Sequence, residues 1–250
     1  MSDFNRGFAR PVSGTADMSV DAGLRAFMLG VYNKMALGLL LSAGLAFLTS
    51  QYAPITQLLY LTTPTGALAG FTTLGTIVRF APLVMILITM FAMRNPTARS
   101  SGILYWALVS TIGAGLGVWL LAYTGSSVAL TFLITATAFG ALSLFGYSTK
   151  KDLTGIGSFL IMGVWGLVIA GLVGMFWNPP GFSFVFSVLG VLIFAGLTAY
   201  DTQRLKLTYY ELGGNEEALG VATNYGALSL YLDFINLFQF LLAIMGARRS

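Results

Sequence analysis

Cysteine and histidine are both absent from this sequence of 250 residues. Their absence excludes disulfide frameworks, thiolate metal sites, cysteine nucleophiles and acid–base catalysis by histidine. Charge is also scarce, because Asp, Glu, Lys and Arg together make up 9% of the chain, whereas an ordinary soluble domain has about 25%. Carboxylates are therefore the only side chains left to titrate near neutral pH.

Apolar residues dominate instead and make up 56% of the chain. A transmembrane helix needs about 20 mostly apolar residues, and short connectors separate seven runs of about that length. The runs lie at roughly 30–50, 74–93, 102–123, 127–146, 153–176, 182–203 and 224–246. The sequence therefore predicts an all-α polytopic membrane protein with seven transmembrane helices.

The first residues, "MSDFNRGFARPVSGTADMSVDAGLRAF", contain no apolar segment followed by a small-residue cleavage site, so they do not resemble a secretory signal. We predict a disordered cytoplasmic tail over residues 1–24 and a transmembrane domain over residues 25–250. The absence of a cleavable signal and the short connectors favour a bacterial inner membrane.

Basic residues concentrate in alternate connectors, as cytoplasmic segments of membrane proteins do. They are Arg6, Arg10, Arg25, Arg94, Arg99, Lys150, Lys151, Arg204 and Lys206, and only Arg79 lies near an intervening connector. This pattern predicts a cytoplasmic N-terminus and, after seven crossings, an external C-terminus. Arg248 and Arg249 disagree with that orientation, so a last segment that re-enters without crossing stays an alternative. The basic residues form no patch, and we expect no nucleic-acid partner.

Two of the nine acidic residues, Asp201 and Asp233, fall inside predicted helices. A charge at the centre of a bilayer costs about 2.5–3.5 kcal/mol, so such residues normally face the interior of the bundle or a watery cavity. Around Asp233, a spacing of four, three and four places polar residues on one face of the helix. This predicted polar seam comprises Ser229, Asp233, Asn236 and Phe240, with Gln239 adjacent.

Burial disfavours an ionised carboxylate, and two carboxylates that share a site titrate as a coupled pair. Asp201 and Asp233 could therefore change charge together near neutral pH, and both ionised would suit a calcium ion. Arg94 ends the second predicted helix at a depth similar to that of Asp201, where it could close the cytoplasmic mouth. Plainer interpretations stay open: Asp201 pairs with Arg204 on the next turn, Asp233 locks helices by hydrogen bonding, and Arg94 is an interfacial anchor.

No catalytic arrangement is present, because the sequence has no phosphate loop, metal motif or nucleophile–base pair. Intramembrane aspartyl proteases also use two carboxylates, but a Gly precedes one of them, whereas Tyr200 and Leu232 precede the two aspartates here. We therefore predict that the protein is not an enzyme and needs no cofactor.

Four segments together resemble the transmembrane Bax inhibitor motif family, also called the Bax inhibitor-1 family. The segments are "FAMRN" (91–95), "KKDLTGIGSFLIMG" (150–163), "AYDTQRLK" (199–206) and "LSLYLDFINLFQFLL" (228–242). The resemblance extends over roughly residues 25–246, and the last segment is its most specific part.

The resemblance implies a seven-helix fold with the last helix central in the bundle, and a pH-sensitive calcium leak. It implies that Asp201 and Asp233 form a proton-sensing pair and that Arg94 is a latch. The expected partners are membrane lipid, calcium ions and protons. One departure concerns the position about three turns before the arginine, where relatives of the calcium-leak branch can have an acidic residue and this chain has Pro82 and Leu83.

The family also suggests an alternative function. Members are implicated in modulating a membrane-anchored protease in bacteria and in restraining cell death in eukaryotes. A membrane interaction protein of that kind would use its aspartates for structure and its tail and cytoplasmic loops for contact with a partner.

Overall fold

The structure is a computed structural model that describes residues 22–63, 68–93, 95–174, 176–177 and 179–249, with the backbone alone for 90–92. Within these ranges the chain forms eight α-helices and one two-stranded hairpin. The elements are α1 (Ala22–Gln51), α2 (Ala53–Leu59), β1 (Tyr60–Thr62), β2 (Leu68–Phe71), α3 (Thr73–Ala92), α4 (Ala98–Ala122), α5 (Gly125–Ser148), α6 (Thr154–Gly174), α7 (Phe182–Glu211) and α8 (Glu216–Met245).

Each predicted apolar run coincides with one long helix, although the ends differ. Six helices in the described part of the chain are long and apolar enough to cross a membrane: α1, α4, α5, α6, α7 and α8. In α3 the apolar stretch Thr73–Thr89 is shorter. The predicted class, an all-α polytopic membrane protein, is confirmed.

Several predicted boundaries are wrong because hydropathy follows the edge of the membrane rather than the end of a helix. Helix α7 continues to Glu211 and α8 begins at Glu216, so Arg204 and Lys206 lie within α7 and not in a connector. The remaining turn contains Gly213 and Gly214 at φ values of 56° and 85°, which favour glycine. Residues 22–24, predicted as tail, are helical in α1, whereas residues 1–21 lie outside the described ranges.

The segment before α3 folds into α2 and an antiparallel hairpin, in which Tyr60 pairs with Phe71. The Tyr60 hydroxyl donates a hydrogen bond to the Ala114 carbonyl at 2.9 Å. This bond ties the hairpin to α4.

Helices α1 and α4 pack closely through glycines of α4, as small residues allow between membrane helices. A Cβ added to Gly113 would lie 2.6 Å from Ser42 Cα, and one added to Gly117 would lie 2.2 Å from Thr49 Oγ1. Ser42 uses this proximity to donate a hydrogen bond to the Val109 carbonyl at 3.1 Å.

Helix α8 packs against α1, α4, α5 and α7. Half of its most apolar window, 50%, is buried, against at most 33% in the other five candidate spans. The residues that follow α8 meet the α4–α5 connector, where the Thr124 N–H donates to the Ala247 carbonyl at 3.0 Å. At the other end of the bundle, Glu217 accepts the Ala98 N–H at 2.7 Å. Helix α8 therefore runs from one end of the bundle to the other, which favours a crossing over the re-entrant alternative.

Candidate functional site

The two intramembrane aspartates are neighbours on α7 and α8. Asp201 is 8% exposed and Asp233 is 4% exposed. Ser229, one turn before Asp233, donates a hydrogen bond to Asp201 Oδ2. Asp233 is buried, and the negative charge of Asp201 interacts with it. The tertiary structure thus brings together the pair that the sequence singled out.

One oxygen of this pair lacks a hydrogen bond. Asp233 Oδ2 is buried and has no partner among the described residues. An ionised carboxylate only accepts hydrogen bonds, so two ionised carboxylates cannot bond to each other, whereas a protonated one supplies an O–H donor. A buried acceptor without a partner is destabilising, so Asp233 Oδ2 is a polar atom that the described residues leave unsatisfied.

Both aspartates lie well inside their helices, because α7 and α8 extend beyond their apolar runs. Asp201 is ten residues before the end of α7 at Glu211, which corresponds to about 15 Å of helix. Asp233 is 17 residues after the start of α8 at Glu216, or about 26 Å. The Ser229 bond shows that Asp201 lies one turn of α8 away from Asp233.

Arg204 supplies a positive charge near Asp201. This residue lies three positions after Asp201 on α7. Its positive charge interacts with the Asp201 carboxyl, with a smaller effect than the Ser229 hydrogen bond. The plainer interpretation, in which Asp201 pairs with Arg204 on the next turn, therefore stays open beside the proposed pair. Arg94 lies outside the described residues, so its role as a latch stays a prediction.

A pocket of about 430 Å³ opens between α7 and α8 beside the pair. It is lined by Asp201, Arg204, Leu205, Thr208, Ala222, Tyr225, Gly226, Leu228, Ser229 and Leu232. Asp201 and Ser229 are therefore in its wall, while Asp233 lies behind them. We call this the inner pocket.

A second pocket, of about 620 Å³, lies between the hairpin, α3, α4 and α8. Asn236 and Gln239 are in its wall, together with Arg79 of α3. Asn236 also donates a hydrogen bond to the Leu232 carbonyl at 2.8 Å. We call this the outer pocket.

Phe240 is the apolar member of the face that the spacing predicts. Its ring packs against Phe186 and Phe194 of α7, with ring centroids 5.5 and 5.9 Å apart. A Cβ on Gly190 would lie 2.5 Å from the Phe240 ring. The absence of a side chain at Gly190 therefore leaves room for this ring to pack against α7. Ser229, Asn236 and Gln239 keep the positions on the pocket face that their spacing predicts.

A resident calcium ion fits this site poorly. The described residues contain no group of three or more His, Cys, Asp or Glu that could hold a metal ion. Calcium takes six to eight oxygen ligands, whereas Asp201, Asp233 and the Ser229 hydroxyl supply only part of that number. Calcium at the pair would keep much of its water, as a passing ion does.

Sequence reasoning missed Gln203 and Lys206, which hold the α5–α6 connector against α7. Gln203 accepts the Leu153 N–H and donates to the Lys151 carbonyl, both at 2.8 Å. Lys206 donates to the Tyr147 carbonyl at 2.7 Å. Their spacing of three would have placed them on one face, had α7 been extended beyond residue 203.

We expect Gln203→Ala to destabilise the protein by about 1–3 kcal/mol, because it leaves a buried N–H and a carbonyl of the connector unpaired. Thermal unfolding in detergent measures this effect. Gln57→Ala, at an exposed position of α2, is the matched control and should unfold like the wild type. Equal stability of the two variants would show that the connector does not depend on Gln203.

Asp152 lies just before α6 and accepts the Thr154 N–H at 2.8 Å. Hydrogen bonds from the side chain and the backbone of Thr154 hold the pKa of Asp152 below its ordinary value. The stabilisation is therefore present above the ordinary pKa and is lost as the pH falls through the lowered one. Asp152 provides a carboxylate remote from the pair.

Comparison with known proteins identifies the relatives of the chain. Residues 24–250 match the family described as inhibitor of apoptosis-promoting Bax1. An uncharacterized protein of Caulobacter vibrioides is 62% identical over 251 residues, which cover 100% of both chains. An uncharacterized protein of Rickettsia prowazekii is 44% identical over 230 residues, or 92% of this chain and 93% of the relative.

The inner membrane protein YbhL of Escherichia coli K12 is 38% identical over 229 residues, which cover 91% of this chain and 94% of YbhL. Like YbhL, this chain is a multi-pass inner-membrane protein. The family match extends through the whole helical bundle and includes both aspartates, so the chain belongs to the Bax inhibitor-1 family.

Proposed function

We propose that this protein is a pH-sensitive calcium leak channel of the inner membrane, gated by Asp201 and Asp233, and that it is not an enzyme. The observation that carries the proposal is the burial of two neighbouring carboxyl groups, one of them with an unpartnered oxygen, beside a pocket between α7 and α8. Calcium is the transported ion in this proposal, and protons are the regulator.

The sign of the pH response follows from the charges. With a proton between the carboxyl groups, a hydrogen bond joins α7 to α8 and little charge attracts a cation. When both groups ionise, like charges repel across a poorly solvated contact, and the site attracts cations. Flux should therefore rise with pH.

Few other titratable groups surround the pair. Helix α6 has none, and α5 has only Tyr147, next to Lys206. From α1, the Tyr32 hydroxyl lies 3.4 Å from the Thr202 hydroxyl, beside Asp201.

Besides Asp233, α8 contributes Tyr225 to the inner pocket, and α7 contributes Arg204. Arg204 is thus the only cation in the pocket among the described residues. It lies toward the end that we assign to the cytoplasm.

We further propose seven crossings with a cytoplasmic N-terminus and a central α8. Helix α3 has 20 residues, or about 30 Å, enough to span the hydrocarbon core in contact with lipid. The end of the bundle that holds Arg99, Lys150 and Lys151 would face the cytoplasm. Arg94 would lie at the same end and act as the latch.

Reconstitution in calcium-free liposomes tests the proposal. Calcium influx into vesicles with an enclosed indicator should rise between about pH 6 and 8, the range in which a buried carboxyl pair can titrate. No influx above empty liposomes at any pH would overturn the leak and leave the alternative, an interaction protein that modulates a membrane protease or a stress response.

We expect Ser229→Ala to move the pH of half-maximal influx upward by about one unit. The Ser229 hydroxyl bonds to Asp201, and a hydrogen bond to an ionised carboxylate favours that form by about 1.4 kcal/mol per unit. Ser229→Thr keeps the hydroxyl and should keep the wild-type midpoint. Identical midpoints for the wild type and Ser229→Ala would contradict a role for this bond in gating.

A further inference from the structure

One face of α8 connects the two pockets. Tyr225, Ser229, Leu232, Asn236 and Gln239 follow a spacing of four, three, four and three, which places them in a single stripe along the helix. Tyr225 and Ser229 line the inner pocket, and Asn236 and Gln239 line the outer pocket. The two pockets thus follow each other along α8.

Leu232 is the one residue of the described chain that lines both pockets. It lies in the middle of the stripe, and it alone in the stripe has a wholly apolar side chain. The residue is half-buried and packs against the main apolar core. Polar groups of the inner pocket therefore lie on one side of Leu232, and those of the outer pocket lie on the other side.

A narrow apolar constriction can stop ions even where side chains do not close the path completely. Water is excluded from such a segment, so a hydrated ion cannot pass through it. The position next to Asp233 gives Leu232 a direct connection to the carboxyl pair. Separation of α7 from α8 would move this part of α8 and widen the constriction.

We propose that Leu232 is an apolar septum between the inner and outer pockets, and that these pockets are the two halves of the ion pathway. The second statement rests on the proposed leak function. The septum itself is a property of the resting protein that can be tested without any flux.

The absence of cysteine from the chain allows a direct test with single-cysteine variants of the full-length protein. The probe is a membrane-impermeant cationic methanethiosulfonate reagent, added to one side of sealed vesicles. We expect Asn236→Cys to react from the outer side. Ser229→Cys should react from the cytoplasmic side and at least about tenfold more slowly from the outer side.

Adding Leu232→Ala to Ser229→Cys should raise the outer-side reaction rate at position 229 by about tenfold or more, equivalent to about 1.4 kcal/mol of barrier. Leu232→Met keeps the volume of the side chain and should leave the rate unchanged. Leu228→Ala is the matched control, because it removes the same atoms from the wall of the inner pocket alone and should have no effect.

The septum is overturned if the thiol of the Ser229→Cys variant reacts equally from both sides while Leu232 is intact, or if Leu228→Ala opens the outer route as much as Leu232→Ala does. The expected accessibility pattern without calcium influx in any variant would support the septum and overturn the leak. The expected pattern, with faster influx through Leu232→Ala, would support both.

Discussion

Asp233→Asn and Asp201→Asn are each expected to remove the pH dependence of calcium influx. Asparagine keeps the shape of a protonated aspartic acid but cannot ionise, so repulsion between two carboxylates can no longer develop. Influx should stay near its low-pH level, and its change between about pH 6 and 8 should fall from about tenfold to less than about twofold. The double variant should behave like either single variant, because the pair acts as a unit.

Asp152→Asn is the matched control for this experiment. It removes a carboxylate from the connector before α6, where the group bonds to a backbone N–H and is remote from the pair. Its influx should follow the wild-type pH curve. A pH response that survives in both pair variants, or that disappears in Asp152→Asn, would contradict gating by Asp201 and Asp233.

Gly146→Ala is expected to destabilise the protein by about 1–3 kcal/mol or more. The new Cβ would lie 2.1 Å from the Ala199 carbonyl oxygen, and a backbone oxygen cannot rotate away as a side chain can. Helices α5 and α7 must therefore separate. Ala199 lies two residues before Asp201, so the same movement should weaken the Ser229 bond and broaden the pH response.

Gly140→Ala provides the comparison on the same helix, because no atom lies within 4 Å of its added Cβ. Alanine there should leave stability unchanged or raise it by about 0.5–1 kcal/mol, as glycine is unfavourable inside a helix. Unfolding in detergent measures both variants. Equal stability would show that α5 and α7 can separate without loss.

Hydropathy alone predicted the membrane class and the location of every long helix. A bilayer requires each spanning backbone to satisfy its own hydrogen bonds, and the apolar residues that allow this are read directly from the chain. The ends of the helices were not predictable in the same way. Helix α7 continues through polar residues to Glu211, where Gln203 and Lys206 bond to the connector before α6.

In the candidate site too, the sequence predicted some residues and the structure was needed for others. The rarity of acidic residues in apolar runs identified Asp201 and Asp233, and helical spacing identified Ser229, Asn236 and Gln239. The ring of Phe240 packs beside Gly190 of α7, the helix that also holds Asp201, and only the structure shows this contact. Arg94 stays a prediction from the family resemblance.

The sequence by itself thus determined that the protein lies in a lipid bilayer. It also determined where the long helices are, which family the chain belongs to and which two carboxylates are buried. These properties depend on the composition and local periodicity of single segments. Only the tertiary structure decided that the Ser229 hydroxyl bonds to Asp201, that Asp233 Oδ2 has no described partner, and that Leu232 lies between two pockets. Such facts depend on how residues far apart in the chain meet, and that is set by helix packing.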